Sequence, residues 1–160
     1  MDKRAEVPMD QVEALGEIGL GNFVPYLMNR VIGRYNADLQ GVLKQSNLTT
    51  AKMRTLAVLA VLPGLTINEL SVYAVTEQST MSRTLEAMEA AGLVRRVERS
   101  SDARVREIYL TEAGRAEFDR FWPIMWRDYH RMMEGIGAEE RQQFLLTLQK
   151  MLNNIRHNEF

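Results

Sequence analysis

The chain has no cysteine, which excludes a disulfide framework, a thiolate nucleophile and any sulfur-ligated zinc or iron–sulfur centre. Histidine is nearly as scarce. Only His130 and His157 are present, neither in an HExxH or comparable cluster, and each reads as a surface or interface helix residue rather than a metal ligand. No metal and no cofactor are expected. Long apolar runs are missing too: the longest candidate, Leu56 to Leu62, is far short of the roughly 18 residues that a membrane helix requires. The N-terminus, MDKRAEVPMDQVEALGEIG, is charged and acidic where an export signal has an apolar centre, so a cytoplasmic location is expected.

Net charge is also small, at −1, which by itself argues against a polyanion binder, because affinity for DNA comes largely from Lys and Arg neutralising phosphates. Its distribution argues the other way. Gly92 to Arg106 holds five arginines (Arg95, Arg96, Arg99, Arg104, Arg106) against two acids (Glu98, Asp102), a local net of +3. Local field, rather than total charge, steers a polyanion. An enzymatic reading finds no support: no cysteine, Ser–His arrangement or glycine-rich phosphate loop is visible, and Glu139-Glu140 is most simply favourable charge at a helix start.

At 160 residues the chain fits one domain with extensions and can bury roughly two-thirds of its unfolded surface. Met1 to about Gly16 shows no apolar period and contains Pro8, so a loose arm or irregular lead-in is expected. From Leu20, apolar residues recur at spacings of three and four through Phe23, Leu27, Val31, Tyr35, Leu39 and Leu43, predicting one long amphipathic helix that ends before Asn47. Thr49 or Thr50 can cap a second, nearly all-apolar helix that Pro63-Gly64 stops. Thr66 with Glu69 forms a capping-box pattern for a short helix to about Val75, and Thr76 can cap the next, Glu77 to Ala91, which Gly92 ends.

Short helices joined by a tight turn are the helix-turn-helix pattern. Beyond them, Leu93 to Arg99 and Arg104 to Leu110 read as a hairpin around the polar break Ser100-Ser101-Asp102-Ala103, which completes a winged helix. Thr111-Glu112 starts a long helix in which Pro123 predicts a kink, and Gly135 and Gly137 end it. A last helix spans about Ala138 to Ile155. The expected fold is mainly α with a small β-hairpin: an N-terminal arm and dimerisation helix over 1–48, a winged helix-turn-helix module over 49–112, and C-terminal dimerisation helices over 113–160. One small winged helix cannot hide Phe23, Tyr26, Trp122, Trp126 and Tyr129, so a homodimer is expected.

A helix that sinks into a major groove about 12 Å wide needs short polar residues at its start. Gln78, Ser79, Thr80, Ser82 and Arg83 meet that description. Arginine suits guanine and glutamine suits adenine, while Ser79 and Thr80 suit phosphates. At the hairpin tip Asp102 lies close enough to orient Arg104, and an oriented arginine on a narrow ribbon suits the minor groove. Of Arg95, Arg96, Arg99 and Arg106, only some are expected to touch phosphate.

The segment DARVREIYLTEAG resembles the wing signature of the MarR family of bacterial winged-helix transcription regulators, with Asp102, Arg104, Leu110 and Thr111 matching position for position. LTTAKMRTLAVL, QSTMSRTLEAMEAAGLVRR and the proline of the penultimate helix are similar to the family as well, so the likeness spans about residues 18 to 155. It implies a repressor-type regulator: an obligate homodimer whose first, fifth and sixth helices interlock, and whose two winged helices bind a pseudo-palindromic double-stranded operator with half-sites roughly 34–36 Å apart. It places Arg106 where the family usually has a basic residue. Ala103 departs from the second arginine many members carry, which weakens the wing or shifts the contact to Arg99. It also implies a small anionic, aromatic or phenolic effector that loosens operator binding, with Tyr35, Met53 and Arg54 as candidate lining residues. The competing reading is a winged-helix protein-interaction module that never touches DNA, slightly favoured by the overall acidity.

Overall fold

A computed structural model of the chain describes residue 8 and residues 12–45, 48–156 and 158, apart from the side chains of 42 and 45. His157 and most of the expected N-terminal arm lie outside the described residues. The chain forms two compact units, Met1–Gly41 and Val42–Phe160.

In the first unit a short helix α1 (Leu15–Ile18) and a 3-10 turn (Leu20–Asn22) precede α2 (Val24–Gln45), which runs across the unit boundary. The helix expected from Leu20 therefore begins four residues later. Pro25 falls in its first turn, where a missing N–H costs nothing, and this fixes the start. Phe23, Leu27, Val31 and Ile32 are all exposed, and Arg34 and Asp38 pair along the helix at 3.0 Å.

The second unit carries α3 (Thr50–Val61), α4 (Ile67–Tyr73), α5 (Gln78–Ala90), a hairpin of β1 (Val94–Arg99) and β2 (Asp102–Leu110), then α6 (Glu112–Met132) and α7 (Ala138–Ile155). Thr49 caps α3 by accepting from the Lys52 amide at 3.2 Å. Met53, Leu56 and Leu59 of that helix meet Leu70, Met81, Leu85, Met88, Val94 and Ile108 in the core. Thr55 is the polar residue buried among them. Its hydroxyl donates to the Ala51 carbonyl at 2.8 Å and lies 3.6 Å from the Met81 sulfur, so no buried polar group is orphaned there. The capping box at α4 forms as its sequence predicts: the Thr66 amide and hydroxyl both donate to Glu69, at 2.7 and 2.8 Å. These two bonds, the backbone one first, hold the Glu69 carboxyl below the usual glutamate range.

Two glycines fasten the hairpin to the helices. Gly64, at φ +82°, donates its amide to the Ile108 carbonyl at 2.9 Å, while Ile108 donates to Leu65 at the same distance, so β2 gains an isolated bridge to the α3–α4 connection. A Cβ at Gly64 would also stand 2.8 Å from the Tyr109 hydroxyl oxygen. Gly114 lies in the first turn of α6, where a Cβ would come within 2.0 Å of the Leu93 carbonyl oxygen. Thr111 joins the same elements: its hydroxyl donates to the Gly92 carbonyl at 2.6 Å and accepts from the Gly114 amide at 3.0 Å.

Pro123 lies inside α6 without breaking it, and α6 ends at Met132 before Gly135 at φ +78°. Along α6 the rings of Phe118, Trp122, Trp126, Tyr129 and His130 form a continuous series of contacts with centroids 4.4–5.8 Å apart. Trp122 and Trp126 remain 43% and 47% exposed. No residue of α7 is buried, although Phe144, Leu145, Leu152 and Ile155 are apolar. No described helix is long and apolar enough to cross a membrane.

Candidate nucleic-acid interface

The two segments singled out by sequence lie on α5 and on the hairpin. Met81, Leu85 and Met88, at helical spacing, are completely buried and anchor α5 to the core. That leaves Gln78, Ser79, Thr80 and Arg83 exposed and Ser82 half-buried. The expected cap does not form. Thr76 spends its hydroxyl on the Ala74 carbonyl at 3.1 Å, closing the end of α4, and Glu77 occupies the N-cap position of α5 without a side-chain hydrogen bond. Just before Thr76, Val75 turns the chain at φ +50°, a left-handed conformation that a β-branched residue rarely adopts. Arg54 of α3 reaches this turn and donates to the Val75 carbonyl at 3.3 Å.

Gln78 is not a loose side chain. Its amide nitrogen donates to Oδ1 of Asn68, in the first turn of α4, at 2.7 Å. Arg83 folds back to its own helix, donating from Nε to the Ser79 carbonyl at 3.3 Å, and remains exposed.

The hairpin pairs Val94 with Leu110 and continues in register to Glu98 opposite Arg106. There the register shifts, and the next pair is Arg99 with Asp102. Only Ser100 and Ser101 make the turn, so the four-residue break expected from sequence is two residues long and β2 begins at Asp102. Ala103, Arg104 and Val105 stand in the bulge between the two pairs. A bulge redirects the side chain at its centre, and here that residue is Arg104.

Asp102 grips Arg104 three times: the Arg104 amide, Nε and Nη2 donate to its carboxylate at 3.0, 3.1 and 3.1 Å. These bonds, the guanidinium first, hold the Asp102 carboxyl below the ordinary aspartate range. The Arg104 side chain is nevertheless 90% exposed.

The other wing arginines are each engaged by a neighbouring side chain. Arg99 donates to Glu107 at 2.6 Å, and the Tyr109 hydroxyl donates to the second oxygen of that carboxylate at 2.9 Å. Arg99 is the leading cause holding Glu107 below its usual range, and Glu107 in turn pushes the Tyr109 hydroxyl up. Arg106 pairs with Glu98 at 2.9 Å, Arg96 with Glu89 at 3.4 Å, and Arg95 lies over the Tyr109 ring at 4.9 Å.

A groove between α4 and the hairpin is lined by Asn68, Arg96, Arg104 and Arg106 over the apolar floor of Leu85 and Ile108. Of the candidate effector residues, Met53 is buried in the core and Arg54 is the residue that holds the Val75 turn, both on α3; Tyr35 belongs to α2 in the first unit. Sequence reasoning missed Asn68, Glu107 and Tyr109. For Asn68 a signal exists: a carboxamide in the first turn of one short helix and another at the first position of the next.

Residues 46–105 match the MarR family model. A crystal structure of a MarR-family transcriptional regulator from Silicibacter pomeroyi is 51% identical, with a TM-score of 0.88, and the alignment covers 92% of this chain and all of that one. The HTH-type transcriptional repressor IacR of Pseudomonas putida is 28% identical over 137 residues, 86% of this chain and 80% of the relative. The repressor CouR, solved bound to a 23-mer DNA duplex, is 26% identical with a TM-score of 0.70, over 88% of this chain and 99% of that one. The chain belongs to the MarR family of transcriptional regulators.

Proposed function

We propose that the protein represses transcription by binding a pseudo-palindromic operator as a homodimer, with α5 in the major groove and the hairpin tip in the adjacent minor groove. The observation that carries this reading is the Asp102–Arg104 clamp: one guanidinium fixed in orientation by two hydrogen bonds, with a third from its own backbone amide, yet 90% exposed on a narrow bulged ribbon. A pre-oriented cation on a thin support fits a narrow groove of enhanced negative potential. Gln78, Ser79, Thr80, Ser82 and Arg83 supply donors and acceptors on the exposed start of α5, suited to base edges and phosphates. Residues 49–112 act as the DNA-binding module, and the flanking segments 1–48 and 113–160 set the distance between its two copies. The exposed aromatic row of α6 and the unburied apolar residues of α7 support an interface between protomers.

Release by a small anionic or aromatic effector fits the same scheme. An anion drawn to Arg54, beside Met53, would compete for the guanidinium that holds the Val75 carbonyl, and so loosen the turn that carries α5. Tyr35 is a further candidate through the family likeness. The DNA reading is tested by titrating the protein against duplexes selected from the host genome at several salt concentrations. The expected outcome is one dimer per site, with log affinity falling linearly against log salt. A flat or absent response would favour the protein-interaction reading instead.

A further inference from the structure

We infer that Asn68 determines base specificity, by holding the Gln78 carboxamide in the one orientation that accepts adenine and rejects guanine. The inference rests on the reading of α5 as the major-groove helix and extends it to a residue outside that helix. Gln78 occupies the first position of α5 and is exposed, and its amide nitrogen already donates to Asn68 Oδ1 at 2.7 Å. A carboxamide has two N–H donors and one carbonyl acceptor. When the N–H committed to Asn68 is the one remote from the carbonyl oxygen, Gln78 presents its other N–H beside that oxygen.

Adenine shows one acceptor and one donor in the major groove, N7 and the N6 amino group, and matches that pair of groups. Guanine shows two acceptors, N7 and O6. Against guanine the Gln78 carbonyl would face O6, oxygen to oxygen, and turning the amide over would break the bond to Asn68. An untethered glutamine escapes this penalty by rotating until both N–H groups point at the base. The tether thus converts an adaptable side chain into a selective one.

The geometry around Asn68 favours a fixed anchor. It sits one residue after Ile67 in the capped first turn of α4, where the Thr66–Glu69 box holds the backbone. The Ser71 hydroxyl donates to the Asn68 carbonyl at 2.8 Å, on the same turn. Asn68 also lines the groove that runs to Arg104 and Arg106, so it stands between the two proposed DNA-facing elements.

The test uses the full-length protein and a selected operator with each base pair changed in turn. Binding by wild type, Gln78→Ala, Asn68→Ala, Asn68→Asp and the Asn68→Ala/Gln78→Ala double variant is then compared. The position whose preference disappears in Gln78→Ala identifies the base pair that Gln78 faces. There, wild type is expected to prefer adenine over guanine by about tenfold or more. Asn68→Ala should reduce that ratio to within about twofold while retaining binding to the unmodified operator, and the double variant should lose no further discrimination than Gln78→Ala alone. Asn68→Asp keeps an acceptor at the same place, so it should keep the ratio while its added charge lowers affinity for every duplex alike. A full adenine preference in Asn68→Ala, or discrimination losses that add in the double variant, would overturn the inference and leave the DNA reading standing. Failure of the wild type to bind any duplex with salt dependence would overturn both.

Discussion

Helix α5 and the hairpin are held in place in opposite ways. α5 is held by apolar contact: Met81, Leu85 and Met88 are fully buried, and its outer face is left polar and open. The hairpin has little core of its own, with Val94 and Ile108 as its buried residues. Its surface is held instead by paired charges, in which Arg96, Arg99 and Arg106 are each matched to a glutamate and Arg95 lies on a tyrosine ring. Charge density in sequence therefore overstates the charge available to a partner. Widening the window to residues 89–107 brings in Glu89 and Glu107, giving five arginines against four acids, a net of +1. What distinguishes Arg104 from its neighbours is less its charge than its exposure combined with its fixed direction.

The sharpest way to break this comparison is to remove the mount that both regions share. In Gly114→Ala the new methyl group collides with the Leu93 backbone carbonyl, which no rotamer change can relieve. A loss of about 3 kcal/mol of stability is expected in chemical denaturation, the upper part of the usual range for overpacking. A cost under about 0.5 kcal/mol, the size of an ordinary surface substitution, would show that the junction is looser than described.

Next in size is the contrast between two wing arginines. Arg104→Ala should weaken operator binding by about tenfold and lower the salt slope by about one, with the fold retained. Arg99→Ala should do less to affinity, because that guanidinium is engaged by Glu107. The reverse order in a binding titration would mean that the Glu107 pair opens on DNA and that Arg99 is the working residue.

A smaller effect is expected at the turn between α4 and α5. Val75 adopts φ +50° and is 77% exposed, so little packing is lost with its side chain. Val75→Gly should relieve the left-handed strain and stabilise the protein by roughly 1 kcal/mol, partly offset by the greater freedom of glycine in the unfolded chain. Calorimetry showing a clear loss instead would mean that the valine side chain makes contacts that matter.

The smallest effect concerns protons. Asp102 is held below its ordinary value by Arg104, so the clamp contributes while the carboxylate is charged and is lost as pH falls through that lowered value. The carboxyl resonance of Asp102 should titrate below the normal aspartate range and move up towards it in Arg104→Ala. No movement would assign the low value to other groups.

Much of this architecture is legible from one sequence because it rests on local rules. Apolar spacing marks α2, α5 and α7, Pro63-Gly64 marks the stop after α3, and Thr49, Thr66 and Thr111 cap their helices as their side chains predict. The Asp102–Arg104 pair is legible for the same reason, since its partners lie two positions apart. What escapes is what depends on register or on distant elements. The partnership of Arg99 with Glu107 requires knowing where the β-ladder slips, and the bond from Gln78 to Asn68 requires the angle between two helices. Thr76 fails as a cap because the Ala74 carbonyl at the end of α4 captures its hydroxyl. The need for glycine at 114 is set by the Leu93 carbonyl, which comes from a distant element.

The ring series on α6 has a practical consequence. Both tryptophans of the chain, Trp122 and Trp126, lie on this one helix with centroids 5.6 Å apart, and both are partly open to water. Intrinsic tryptophan emission thus comes from a single helix, and from none of the residues proposed to meet DNA. Dilution of the unlabelled protein, followed by its emission maximum, would report any covering of that helix directly, while DNA binding by the winged helix could be read independently with a dye on the duplex.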